Sequence, residues 1–86
     1  MNKKYYVYML RCEDNSIYTG ITTDINRRFE EHLGKGGRGA KYTKNHKPIK
    51  IEKVFEACSR MEASKLEYKI KHLRKSEKEE LIKTHI

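Results

Sequence analysis

The sequence lacks the features that mark disulfide-rich, zinc-binding and membrane-spanning proteins. Its only two cysteines, Cys12 and Cys58, lie 46 positions apart and form no C-x-x-C pair, so they indicate neither a disulfide framework nor a zinc site. We interpret both as reduced thiols that fill small core positions. No apolar run approaches the ~20 residues of a membrane span, and the N-terminus leads into a strand pattern rather than a signal-peptide core. These absences favour a soluble, cytoplasmic protein.

Large apolar residues are also scarce, since Leu, Ile, Val and Phe together make up 17 of the 86 residues. This share, about 20%, is near the limit below which a strongly charged chain stays disordered. A chain of this length is too short for two domains. Because the apolar residues recur at regular positions, we expect residues 1–86 to form a single folded domain.

Positive charge is what the sequence has in excess. Twenty Lys and Arg against 12 Asp and Glu give a net charge of +8, which indicates a polyanionic partner such as nucleic acid. Residues 1–33 are neutral overall, whereas residues 34–53 carry seven bases and one acid. We expect this basic segment and one later helix to contact a nucleic-acid backbone. The residues predicted to do so are Lys35, Arg38, Lys41, Tyr42, Lys44, Lys47 and Lys71.

Aromatic and β-branched residues predict three strands. Tyr5–Arg11 and Ile17–Thr22 are rich in such residues, and Asp14-Asn15 between them is typical of a turn, so the pattern indicates a β-hairpin. The third strand is predicted over Ile49–Ala57. Because side chains alternate along a strand, one face of each hairpin strand collects a defined set. These sets are Tyr6, Tyr8 and Leu10 on the first strand, and Tyr18, Gly20 and Thr22 on the second.

Helix caps and apolar spacing predict three helices. Asp24 caps the first, which carries Arg28 and His32 beside its apolar stripe and ends at Gly34. Ser59 and Glu62 form a capping box that opens a long second helix. Its apolar face consists of Ala63, Leu66, Ile70 and Leu73.

A second capping box, Ser76 with Glu79, predicts the last helix at about 77–84. The connection over residues 34–48 is glycine-rich and basic, and we expect one short helical turn at 40–44 within it. The element order is therefore β-β-α-β-α-α. It predicts an α/β domain in which helices flank one three-stranded sheet.

Several short motifs keep a characteristic order along this element pattern. Tyr6-Val7-Tyr8 precedes Tyr18-Thr19-Gly20 in the hairpin, Arg28 and His32 follow on the first helix, and Glu67 lies on the second. Together they resemble the GIY-YIG nuclease superfamily over nearly the whole chain, and its small stand-alone bacterial members most closely. The chain departs from the family pattern where tyrosine replaces the first glycine and threonine replaces the second isoleucine, but both tyrosines of the pattern remain.

The resemblance implies a metal-dependent endonuclease that hydrolyses phosphodiester bonds in DNA with weak sequence preference, in DNA repair or processing. It implies that Tyr8 or Tyr18 activates or positions the attacking water, and that Arg28 neutralises phosphate charge. His32 would bind phosphate or relay a proton, and Glu67 would hold Mg²⁺ or Mn²⁺. A phenol with a pKa near 10 is almost fully protonated at neutral pH, so we expect nearby cations and the metal to lower it. No small-molecule cofactor is implied, and a separate protein partner would direct the enzyme to its target.

Two other functions stay open on the sequence alone. The chain would keep the same fold as a non-catalytic nucleic-acid-binding module or as a basic ribosome-associated protein, and RNA stays open as an alternative to DNA. In either case the tyrosines are packing residues, and Glu67 with Lys71 is an ordinary surface pair four residues apart on a helix. The remaining histidines, His46, His72 and His85, are interpreted as surface residues.

Overall fold

The computed structural model describes residues 4–34 and 46–84. They form three strands, β1 (Tyr5–Cys12), β2 (Ile17–Thr22) and β3 (Pro48–Ala57), and three helices, α1 (Ile25–His32), α2 (Arg60–Lys71) and α3 (Lys75–Lys83). The predicted α/β class and the order β-β-α-β-α-α are confirmed. The helical turn predicted at 40–44 lies outside the described residues. None of the helices in the described ranges is both long and apolar enough to cross a membrane.

β1 is the centre of the sheet, and both of its neighbours run antiparallel to it, in the order β2-β1-β3. The predicted hairpin turn forms around Asn15, whose φ of 69° lies in the left-handed region that asparagine tolerates. The register places Tyr8 of β1 directly opposite Gly20 of β2. This pairing decides the shape of the candidate site, because it sets a large ring against a residue without a side chain.

The two faces of the sheet are covered by different elements. On one face, Val7 and Met9 pack with Ala63 and Ile70 of α2, and α3 adds Leu81 and Ile82 to this core. The alternation along β1 turns Tyr8 and Leu10 to the opposite face, where they are also buried. There α1 places His32 against Tyr8, so this second face carries polar aromatic groups beside its apolar ones.

Local hydrogen bonds fix the start of α1 as predicted and that of α2 in part, because the Glu62 carboxylate accepts from the Cys58 N–H at 3.2 Å rather than from the Ser59 N–H of the predicted capping box. The Asp24 carboxylate accepts from the Arg27 N–H at 3.0 Å, and the Ser59 hydroxyl accepts from the Glu62 N–H at 3.2 Å. The chain turns away from α1 at Gly34, whose φ of +94° lies in the left-handed region that favours glycine. Between these ends, Arg28 and His32 lie one turn apart on α1.

The second predicted capping box is wrong. α3 begins at Lys75 rather than near residue 77, so Ser76 lies inside its first turn. The carboxylate that closes this turn belongs to Glu77, which accepts from the Arg74 N–H at 2.8 Å. Two neighbouring boundaries also differ slightly, since β3 begins at Pro48 and α3 ends at Lys83.

Glu79, the other half of the predicted box, is engaged by a distant residue instead. The Arg11 guanidinium on β1 donates to both Glu79 carboxylate oxygens, at 2.5 and 2.6 Å, and to Glu52 on β3 at 2.9 Å. These hydrogen bonds lower the pKa of Glu79 to about 2. Arg11 thus joins three elements, and this contact between β1 and α3 replaces the local cap.

The two cysteines differ in burial. Both are free thiols, as expected, and Cys12 is buried at the end of β1. Cys58 is exposed, so the expectation of a core position is wrong for this residue. It follows the last residue of β3 and immediately precedes the α2 cap.

Candidate active site

The site begins with a contact between β1 and α1. His32 is the last residue of α1 and only 3% exposed, and its Nε2 lies 2.7 Å from the Tyr8 hydroxyl oxygen. The Tyr18 ring on β2 packs edge-on against His32, with centroids 5.1 Å apart, and lies 6.2 Å from the Tyr8 ring. We call Tyr8, Tyr18 and His32 the tyrosine–histidine cluster. It brings together three predicted site residues from three elements.

Gly20 makes room for this cluster. A Cβ atom added there would overlap the Tyr8 hydroxyl oxygen and lie 2.7 Å from Tyr8 Cζ and 3.1 Å from Tyr18 Cε2. The Tyr8 ring therefore crosses directly over the β2 backbone, which only a residue without a side chain permits. Gly20 was expected on the face of Tyr18, but its steric role follows only from the strand register.

Arg28 lies one helical turn before His32 and joins the cluster from the side. Its guanidinium is within hydrogen-bonding reach of the Tyr8 phenol, and its Nη1 donates to Glu31 at 2.9 Å. Its side chain is 26% exposed, so part of it is accessible to solvent. Glu31, which the sequence did not single out, holds the guanidinium in place.

Burial sets the protonation of Tyr8 and His32. Burial, with a further contribution from Tyr18, raises the pKa of Tyr8 above its ordinary value, and the Arg28 charge only partly offsets this. Burial and the Arg28 charge lower the pKa of His32 to about 4. At neutral pH the phenol is protonated and the imidazole neutral, and in the tautomer that carries its proton on Nδ1 the Tyr8 O–H donates to His32 Nε2. The protein by itself therefore raises the Tyr8 pKa, whereas nearby cations and the metal were expected to lower it.

A pH-dependent stability follows from the buried His32. A histidine in an unfolded chain ionises near pH 6.5, whereas the folded-state pKa of His32 is about 4. Between these values the unfolded chain binds a proton that the folded chain does not, so acid favours unfolding. We expect the free energy of unfolding to fall by about 2 kcal/mol from pH 7 to pH 5.

Urea unfolding of the wild-type protein and a His32→Gln variant at pH 7, 6 and 5 measures this effect. The variant lacks the titrating group, so its stability should change much less over the same range. Carboxylates paired in the folded state, such as Glu79, lose their stabilising contribution mainly at lower pH. An equal pH dependence in both proteins would contradict the assignment to His32.

Glu67 lies on α2 with a side chain that is 24% exposed, and Lys71 pairs with it at 3.2 Å. It is near enough to the cluster for its charge to add to the rise in the Tyr8 pKa. Within residues 4–34 and 46–84, no three His, Cys, Asp or Glu side chains converge to hold a metal ion. A single accessible carboxylate nevertheless fits Mg²⁺, which keeps several waters and takes other ligands from substrate phosphate.

The structure describes two of the seven residues predicted to contact nucleic acid. Lys35, Arg38, Lys41, Tyr42 and Lys44 lie outside the described residues. Lys47 is exposed just before β3, and Lys71 is half exposed in its pair with Glu67.

The chain is similar to one family model and to several small proteins of one group. The family model of the GIY-YIG catalytic domain matches residues 4–80. A UPF0213 protein of Fusobacterium nucleatum is 56% identical over 78 residues, which cover 91% of this chain and 76% of the relative. One from Cupriavidus necator is 49% identical and covers 86% and 78%. The solution NMR structure of the UPF0213 protein BH0048 from Bacillus halodurans is 43% identical, covers 92% of this chain and 82% of that one, and superimposes with a TM-score of 0.59.

Proposed function

The chain belongs to the GIY-YIG nuclease family, and from this premise we propose that it is a metal-dependent endonuclease acting on DNA. The observation that carries the proposal is the 2.7 Å hydrogen bond between the Tyr8 phenol and His32, with Arg28 beside it. Phosphodiester hydrolysis needs a water oxygen to attack phosphorus, the bond to the leaving oxygen to break and a proton to be removed from the water. It also needs cations for the charge that grows on the phosphate oxygens.

The Tyr8–His32 hydrogen bond supplies a path for the water proton. A free Tyr8 phenolate is disfavoured, because burial raises the pKa of this phenol. In our proposal the phenol proton passes to His32 Nε2 as the phenol oxygen takes a proton from the water, so no free phenolate accumulates. A bound phosphodiester brings negative charge next to the imidazole, which makes it a better proton acceptor. Tyr18, partly exposed at the edge of the cluster, positions the water.

Arg28 neutralises the phosphate. Its guanidinium is planar and permanently charged, and offers paired donors that match two phosphate oxygens. The ion pair with Glu31 and the contact with Tyr8 orient this guanidinium, and its partly exposed side chain would meet a phosphate at the edge of the cluster. The geometry thus supports a guanidinium that is already oriented when the phosphodiester arrives.

Glu67 is the residue that would hold the metal. The charge and accessibility of its carboxylate suit one Mg²⁺ or Mn²⁺ ion, and Lys71 would release it and turn to the nucleic-acid backbone. Neutralisation of charge on the phosphate oxygens is the chemistry that such an ion supplies. Because no base-reading helix is evident among the described elements, we propose weak sequence preference, steep salt dependence and a role in DNA repair or processing.

A plasmid assay with a Tyr8→Phe variant tests the proposal. The wild-type protein with Mg²⁺ or Mn²⁺ should nick supercoiled DNA, and chelator should stop the reaction. Tyr8→Phe keeps the ring over Gly20 but removes the hydroxyl that bonds His32. We expect its nicking rate to fall by roughly 100-fold or more, in the range that a general acid–base group contributes.

Tyr68→Phe is the matched control. Tyr68 is 65% exposed on α2 and stacks on His72 rather than on the cluster, so its hydroxyl can be removed without touching the relay. Equal nicking by Tyr8→Phe and the wild-type protein would contradict the mechanism and point to a contaminating nuclease. DNA binding without any cleavage by the wild-type protein would favour the binding-module alternative.

A further inference from the structure

A cleft of about 310 Å³ lies beside Arg28 of the candidate active site, and it is formed by the first residue of β1, the end of β2, α1 and the first residue of α2. Its charged lining consists of Arg27, Arg28 and Arg60 against the single carboxylate of Glu31. That carboxylate is already neutralised by Arg28 at 2.9 Å. The cleft therefore has an excess of positive charge, and it shares Arg28 with the candidate active site.

The arginines of the described residues divide into two groups. Arg11, Arg28 and Arg74 each form an ion pair with a carboxylate. Arg27 and Arg60 are the two in residues 4–34 and 46–84 for which no ion pair is found, and both line this cleft. An anion that enters the cleft can bind these two guanidinium groups without first breaking a salt bridge.

We infer that this cleft binds a phosphate of the nucleic-acid backbone, next to the phosphate that Arg28 holds for cleavage. Arginine favours phosphate oxygens because its planar donors match them in pairs, and the Thr23 side chain in the same lining adds a neutral donor. Since Arg28 borders both sites, one strand can pass from the cluster into the cleft. The inference rests on the proposed function for its substrate, and it adds Arg27 and Arg60 as substrate-binding residues.

Binding of a fluorescent single-stranded oligonucleotide, followed by anisotropy in chelator, tests the inference without any cleavage. An Arg27→Gln/Arg60→Gln double variant should bind roughly 10-fold or more weakly at low salt. The slope of log K against log salt should fall by about 1 for each arginine removed. Both side chains belong to exposed residues, so we expect the melting temperature to stay near that of the wild-type protein.

An Arg74→Gln/Lys83→Gln variant is the matched control, because it removes the same charge from exposed positions on and beside α3. A second arm uses oligonucleotides in which one phosphate at a time is a neutral methylphosphonate. At one or more positions, the neutral linkage should weaken binding of the oligonucleotide to the wild-type protein but leave its binding to the Arg27→Gln/Arg60→Gln variant unchanged. The inference would be overturned if the Arg27→Gln/Arg60→Gln variant lost no more affinity than the control variant. It would also be overturned if this variant and the wild-type protein responded alike to every neutral linkage, or if the wild-type protein did not bind the oligonucleotide.

The two proposals fail in different ways. If the wild-type protein binds DNA through Arg27 and Arg60 but cleaves no substrate, hydrolysis is disproved and the phosphate cleft stands. If the wild-type protein nicks plasmid while the double variant binds like its control, the nuclease stands and the cleft is disproved.

Discussion

A Glu67→Gln substitution is expected to lower the rate of DNA cleavage by about a thousandfold, equivalent to about 4 kcal/mol of lost transition-state stabilisation. Glutamine keeps the shape of the side chain but removes the charge, and with it the carboxylate proposed to hold the metal. The cost to the fold should be small, since the side chain is partly exposed and its pair with Lys71 is a surface pair of a kind worth only a few tenths of a kcal/mol. Single-turnover cleavage of plasmid at saturating protein measures the loss.

Two further measurements separate loss of the metal from loss of the fold. Glu80→Gln makes the same change on the exposed face of α3 and should leave cleavage unaltered. The Glu67→Gln protein should also show weaker binding of Mn²⁺ by electron paramagnetic resonance, while its melting temperature stays near that of the wild-type protein. Cleavage within about threefold of the wild-type rate would remove Glu67 from the proposed site.

The parts of the fold that the sequence predicted are those set by local interactions. Asp24 and Ser59 cap helices because their side chains accept from backbone N–H groups a few residues on, and spacing along the chain reveals this. The start of α3 was misplaced because Glu79 bonds to Arg11, 68 positions away, and no local pattern shows such a partner. The single domain over residues 1–86 and the basic contacts of residues 35–44 stay predictions.

The sequence singled out Tyr8, Tyr18, Arg28 and His32, which the structure brings together, but neither Glu31 nor the protonation states of the cluster. Strand alternation assigned Tyr8 and Tyr18 to a face of their own strands, and the strand pairing then brings their rings to within 6.2 Å of each other. His32 was expected at the flank of a helix, but the sheet and the two tyrosine rings bury it. Burial then lowers the pKa of His32 and raises that of Tyr8, which depends on tertiary packing that a sequence motif does not encode.

A Gly20→Ala substitution is expected to lower cleavage at least 100-fold and to destabilise the fold by about 1–3 kcal/mol. The added methyl group would overlap the Tyr8 hydroxyl and approach Cζ to 2.7 Å. Tyr8 is 3% exposed, so its ring is enclosed by neighbouring atoms, and a shift that relieves the overlap moves its hydroxyl relative to His32. Thermal unfolding and the plasmid assay on the same preparation measure both effects.

Gly34→Ala distinguishes this steric effect from the general cost of replacing a glycine. Gly34 has no atom within 4 Å of an added Cβ, but its φ of +94° is strained for alanine. That variant should therefore lose about 1 kcal/mol of stability and keep its cleavage rate. If Gly20→Ala instead cleaves like the wild-type protein, the position of the Tyr8 hydroxyl does not matter for the reaction.

Tyr8→Phe and Gly20→Ala interrupt the same hydrogen bond by different routes. The first removes the hydroxyl and leaves the ring in its place, while the second keeps the hydroxyl and displaces the ring. If both variants lose cleavage to a similar degree, the reaction depends on the contact between Tyr8 and His32 rather than on the tyrosine ring alone. Combining the two changes should then lower cleavage little further, because effects that act through one contact are not additive.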